Sequence, residues 1–245
     1  MIGLLVVAAV AYAAAALRLR RRGVDWPPGR ALAWYFGIAA AVAGSGHAHS
    51  FRDHMAGHLL LGMAAPLLLV FGRPVTLALR ALPVRPARRL ARVLRSRPIV
   101  LLTHPVTAGV LDAGGMWLLY TTGLHSGGVL IQVHLLLAGY LFTAAIIGRD
   151  PAPHRPGPAL RAAVLVAFVA VHGILAKHLY AHPPPGVPAP DAEQAAQLMY
   201  YGGDLLHLVV IALLCRELFP SPARAWRLPT GAPKPPLATE PPGPT

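Results

Sequence analysis

The apolar residues of this chain come in long blocks separated by short stretches rich in Arg, Pro and Gly, and that pattern decides its fold class. Seven blocks read as helices, over residues 2–17, 30–46, 54–73, 99–120, 127–147, 159–180 and 198–219. Most reach the ~20 residues that a helix needs to cross a hydrocarbon core of ~30 Å. With 55% hydrophobic and 13% charged residues, the composition departs strongly from that of soluble domains. We therefore expect an all-α integral membrane protein, a bundle of about seven transmembrane helices forming one membrane domain over residues 1–219. Residues 220–245, rich in Pro and Gly and poor in large apolar side chains, should form a disordered cytoplasmic tail.

The net charge of +13 is sorted by loop. Of the 22 basic residues, all but Arg52 and Lys177 fall in the connections between blocks one and two, three and four, and five and six, at the block ends that face them, or at and after the end of block seven. The positive-inside rule then sets the N-terminus outside and the C-terminus in the cytoplasm of a plasma membrane. Basicity of this kind is topology and implies no nucleic-acid partner. The first block is short, and Ala13 to Ala16 would suit a signal peptidase. Yet no charge precedes it, while Arg18, Arg20, Arg21 and Arg22 follow it, the reverse of signal-peptide order. An uncleaved first span is expected. The single cysteine, Cys215, excludes an intramolecular disulfide and any paired-cysteine metal motif.

Two loop segments have character of their own. Pro86 to Arg97 can form a short helix with Leu90, Val93 and Leu94 on one face, flanked by Arg88, Arg89, Arg92 and Arg95. It reads either as a helix lying on the anionic inner leaflet or as a solvated basic loop. His182 to Pro185 should be extended and stiff.

Depth sorts the histidines as well. Ten of the twelve fall at or above the outer half of the expected bundle: His47, His49, His54, His58, His125, His134, His172, His178, His182 and His207. His104 and His154 lie towards the cytoplasm, His104 with Pro105 marking a bent inner end of span four. Ionisable groups within a span are costly and tend to mark a site or pathway. His54 and His58, four apart, share a helix face and can chelate one metal, or can simply face interfacial water. Met55 and Met63 could add thioethers, which favour Cu(I), or fill gaps between helices. His134, His172 and His207 reach similar depth on other spans, so the candidate metal set is His54, His58, Met55, His134, His172 and His207. Asp204, three residues before His207, is expected to orient a ligand histidine by accepting its hydrogen bond. Asp112, Met63 and Lys177 complete the candidate supporting or relay groups, with Gly114 and Gly115 permitting a break after Asp112.

Around span three the chain resembles the CtaG-type, polytopic family of cytochrome c oxidase assembly factors. The matching residues are His54, Met55, His58, Met63, Pro66 and the turn Gly72, Arg73, Pro74. Further matches are His134 with Gly139, and Asp191 with Gln194, Gln197, Gly202 and Gly203. Leu59 stands where the family usually has a methionine, and Leu67 where it has the second of two prolines. The resemblance spans about residues 30–219. It implies a non-enzymatic role in maturing a haem–copper oxidase, with oxidase subunits or their copper chaperones as partners. Together with the outer-side histidines, it points to a factor that holds or relays copper at the outer leaflet. Two other classes remain open. A haem-binding electron carrier or oxidoreductase could use axial histidines such as His134 and His207, and a copper or proton-coupled transporter could use Asp112, Asp204 and the histidines as a relay.

Overall fold

The computed structural model describes residues 1–46, 48–122, 128–151 and 155–219, and its described residues contain helices and no strand. The elements are α1 (Ile2–Arg21), α2 (Pro28–Gly44), α3 (Phe51–Leu59), a π-helical turn (Leu60–Ala64), α4 (Ala65–Phe71), α5 (Pro74–Ala81), α6 (Val84–Leu94), α7 (Arg97–Leu102), α8 (Pro105–Thr121), α9 (Val129–Ile147), α10 (Pro158–Ala181) and α11 (Ala189–Leu218). The expected tail lies outside the described residues.

Five helices are long and apolar enough to cross a membrane: α1, the near-continuous helix 51–71, α9, α10 and α11. The other two expected spans correspond to α2 and α8, each of 17 residues. At 1.5 Å per residue these are about 26 Å long, short of a ~30 Å core. Span four is broken more sharply than its length suggested. α7 ends at Leu102 and α8 restarts at Pro105, because Pro105 has no N–H and holds His104 in an extended conformation. The break that Gly114 and Gly115 would permit does not occur, since α8 runs through both.

The helix 51–71 with α11, α10, α8 and α9 closes a ring in that order, α9 returning to α4. α2 packs outside the ring on α4, and α1 packs outside on α5 and α2. Accordingly α1 buries only Leu5, Tyr12 and Leu19, one residue in seven along a single stripe. Val10, Phe36, Val110, Leu130, Val166, Leu205 and other large apolar side chains are exposed on outer faces, as lipid-facing residues should be.

The break inside 51–71 follows from Pro66. A proline cannot return a hydrogen bond to the carbonyl four residues back, here Gly62, and its ring crowds that carbonyl. The helix widens instead, with Ala65 N–H bonding to Leu60 O five residues earlier. Two neighbours come unusually close to this segment. A Cβ on Gly44 of α2 would stand 2.8 Å from Gly57 O, and a Cβ on Gly139 of α9 would overlap Gly62 O. Small residues that let backbones touch are the usual basis of helix packing in lipid.

Each end of the bundle is tied by charged groups. At one end the Asp191 carboxylate accepts from Phe51 N at 2.7 Å and Arg52 N at 3.3 Å, so the start of α11 caps α3. At the other end Asp150 caps α5 through Val75 N and Thr76 N. There Arg161, 4% exposed, donates to Ile146 O at 2.7 Å and to Glu217 at 2.8 Å, joining α10, α9 and α11.

Gly139→Ala should therefore lower the unfolding temperature of the detergent-purified protein, by the equivalent of about 1–3 kcal/mol or more, because its new methyl meets a backbone carbonyl. Gly173→Ala, whose Cβ would meet only Tyr200 at 3.5 Å, should be neutral or stabilising. Equal unfolding temperatures for the two variants would contradict the close α9 contact.

Candidate functional site

The ring of helices encloses a file of polar aromatic side chains. It begins at the end where Asp191 caps α3. His54 and His58 of α3 both meet Tyr120 of α8 edge-on, with centroids 5.8 and 5.7 Å away. His58 lies 6.2 Å from His172 of α10, nearly parallel to it, and His172 lies 5.0 Å from His207 of α11, nearly perpendicular. Phe168, one turn before His172 on α10, closes the file against both rings and stacks on Phe142 of α9 at 4.1 Å.

Helix register explains the convergence. The i,i+4 spacing sets His54 and His58 on one face of α3, as the sequence implied. Gly203 supplies the remaining room, because a Cβ there would overlap the His172 ring. Gly202 likewise leaves space for Leu59, where a Cβ would stand 2.7 Å from Cδ1. Gly202 and Gly203, both among the family matches, are thus the sites where α11 yields to its neighbours.

His58, His172 and His207 are 3%, 1% and 3% exposed. None of their six ring nitrogens has a hydrogen-bond partner among the described residues, nor has the Tyr120 hydroxyl. An unpartnered buried polar group costs ~1–3 kcal/mol, so this concentration marks the file as the candidate site. An open cavity of about 680 Å³ leads to the file from the same end, lined among others by His49, Asp53, His54, His58, Gln132 and Asp191. Met55 and Met199 are fully buried on α3 and α11, while Met63 is half-buried.

Other expected members stand elsewhere. His134 is exposed, and its Nε2 fills the space beside Gly115 that a side chain there would need. Asp204 is half-buried and orients none of the three histidines, whose nitrogens are all without partners. Lys177 is exposed with its Nζ 5.4 Å from the Tyr200 ring, and Asp112 is buried on α8. His178 stacks on His182 at 4.6 Å, away from the file. His47, His125 and His154 lie outside the described residues. Tyr120 was missed because a tyrosine near a helix end is an ordinary membrane-interface residue, and only the fold turns it towards the histidines.

Two imidazoles sharing one ion, each nitrogen about 2.0–2.1 Å from it, have ring centroids on the order of 5–6 Å apart. The His172–His207 pair meets that separation. Among the described residues no three His, Cys, Asp or Glu side chains converge closely enough to hold one ion as they stand.

Replacing His172 or His207 by Leu removes unpartnered nitrogens and keeps much of the volume. Each variant should leave the unfolding temperature of metal-free protein unchanged or raised by the equivalent of about 1 kcal/mol. A large loss of stability would instead assign the rings a packing role.

Comparison with known proteins bears on the whole bundle. The profile of the cytochrome c oxidase caa3 assembly factor family matches residues 10–221. Uncharacterized proteins of Mycobacterium bovis and Mycobacterium tuberculosis are each 45% identical over 188 residues, covering 68% of this chain and 28% of the relative. One from Mycobacterium leprae is 38% identical over 187 residues, with the same coverage. The chain thus matches little more than a quarter of the length of these curated relatives. No solved structure matches it significantly. The ring of helices 51–71, α8, α9, α10 and α11, with its histidine file, falls within the matched region, and the chain belongs to the cytochrome c oxidase caa3 assembly factor family.

Proposed function

We propose that this protein assists assembly of a haem–copper cytochrome c oxidase by taking copper at its histidine end, holding it briefly and passing it to an oxidase subunit or its chaperone. The observation that carries the reading is the set of six unpartnered ring nitrogens on His58, His172 and His207, of which His58 lines an open cavity. His54 and His58 are the entry ligands. His172 and His207, 5.0 Å apart, are the holding pair. Imidazole with few thioethers binds copper without locking it in place, which suits a cargo. No bond is made or broken in the protein, so the role is not enzymatic. Of the alternatives, a bis-histidine haem loses support, because His134 is not among the rings that His207 meets. A continuous relay also loses support, because Phe168 and Phe142 close the file below His172.

The same reading includes the topology. α2 and α8 are two short further spans of a seven-span bundle in the plasma membrane, with the N-terminus outside and the basic end cytoplasmic. Short spans are accommodated by local thinning and by packing against longer neighbours. In a Cys215→Ser background, Ser126→Cys should label from outside and Ala223→Cys from inside. Labelling of position 126 only from the cytoplasm would reverse the orientation.

In a deletion strain, oxidase activity and oxidase copper should fall while subunit synthesis continues. His58→Ala, His172→Ala and His207→Ala should each restore little activity, and Met63→Leu most of it. Purified protein should bind Cu(I) and lose it in the His172→Ala, His207→Ala double variant, without a Soret band in either. Copper-replete oxidase in the deletion strain would remove the assembly role. Normal oxidase with the double variant would remove only the copper mechanism.

A further inference from the structure

The assembly reading leaves α6 and the slot beside it without a role. A helix forms here, shifted from the expected Pro86–Arg97 to Val84–Leu94 because Arg95 ends it and Arg97 opens α7, and it buries no residue of its own. At 3.6 residues per turn, Arg85, Arg88, Arg89 and Arg92 fall in one arc of about 100°. Pro86, Ala87, Leu90, Ala91, Val93 and Leu94 cover the opposite side. The four arginines are exposed and join no ion pair among the described residues. No acidic residue occurs in the sequence between Asp53 and Asp112, so nothing nearby along the chain balances them. On the apolar side, Leu94 faces a slot of about 230 Å³ lined by Val70, Val75, Ile99, Val100 and Leu141. The polar end of the slot holds Arg155, paired with Glu217, and Asp150, already bonded to Val75 and Thr76.

We propose that α6 is a contact for an anionic lipid surface. It lies along the bilayer with its apolar side and the slot filled by acyl chains, and its arginine arc rests among headgroup phosphates. Charge complementarity selects this occupant. An uncompensated arginine stripe backed by an apolar face matches an anionic leaflet, which offers phosphates and hydrocarbon a few ångströms apart. A zwitterionic surface would leave the guanidinium groups without excess counter-charge. The solvated-loop reading leaves Val84 and Val93, 65% and 54% exposed, in water. Because each arginine acts through surface potential, the contact should weaken with salt. The inference does not rest on copper, and failure of either leaves the other standing.

The test uses the full chain with Cys215→Ser and a nitroxide at Val93→Cys or Arg89→Cys, reconstituted into vesicles of phosphatidylcholine with or without phosphatidylglycerol. With phosphatidylglycerol present, the label at 93 should be shielded from an aqueous nickel relaxant and open to oxygen, while the label at 89 stays nickel-accessible. Replacing Arg85, Arg88, Arg89 and Arg92 by Gln, for the label at 93, keeps helix propensity. It should raise the phosphatidylglycerol content needed for half-effect by about two to three orders of magnitude, placing it out of reach. Equal burial of the label at 93 in phosphatidylcholine alone would overturn the anionic requirement. So would an unchanged response in the glutamine variant, or a label moved equally by inorganic phosphate in detergent. A label at 93 that remains nickel-accessible in both vesicles would overturn the contact itself.

Discussion

The carbonyl of Gly62 is the constraint on which the bundle depends. Pro66 deprives it of its usual donor, and in hydrocarbon no water can replace that bond. A broken helix is tolerated in lipid only where protein covers the break. Here α9 covers it, brought into backbone contact because Gly139 has no side chain, while α2 closes on the preceding turn through Gly44 and Gly57. The break lies one turn below His58, and a Cβ on Gly62 would stand 3.7 Å from Cε1 of that ring. The device that seals the backbone therefore also fixes the wall against which the first deeply buried histidine rests.

From that wall the rest of the site follows by packing. α11 approaches α3 and α10 closely because Gly202 and Gly203 give way to Leu59 and His172. Its start is held by the Asp191 cap on α3, and its far end by the Arg161–Glu217 pair. Fixing α11 at both ends keeps His207 beside His172 without any hydrogen bond between the rings. A ring nitrogen left unpartnered at this depth would oppose folding, so the close approach of the helices has to hold the three rings together.

The two ends of the molecule divide their work. One gathers arginines on α5, α6, α7 and the starts and ends of their neighbours. The other presents the cavity and the histidines. Arg52 is the arginine that stands at the histidine end among the described residues, on the first turn of α3 beside the Asp191 cap.

The sequence by itself determined the class of the fold, because runs of apolar residues long enough to span a bilayer admit little but helices. It also determined the basic and histidine ends, which are sums over loops and spans and need no contact map. His54 and His58 could be paired from spacing alone, since both lie on one helix. Pairing His172 with His207, or bringing in Tyr120, could not be read this way, since side chains on different helices meet only through crossing geometry. Similar depth made His134 look equivalent to them, yet depth says nothing about rotation, and its ring turned to Gly115. Asp204 shares a helix with His207, yet it accepts no hydrogen bond from any of the three buried rings. Tertiary structure decided these questions because the glycines that set how closely helices approach carry no chemistry of their own to announce it.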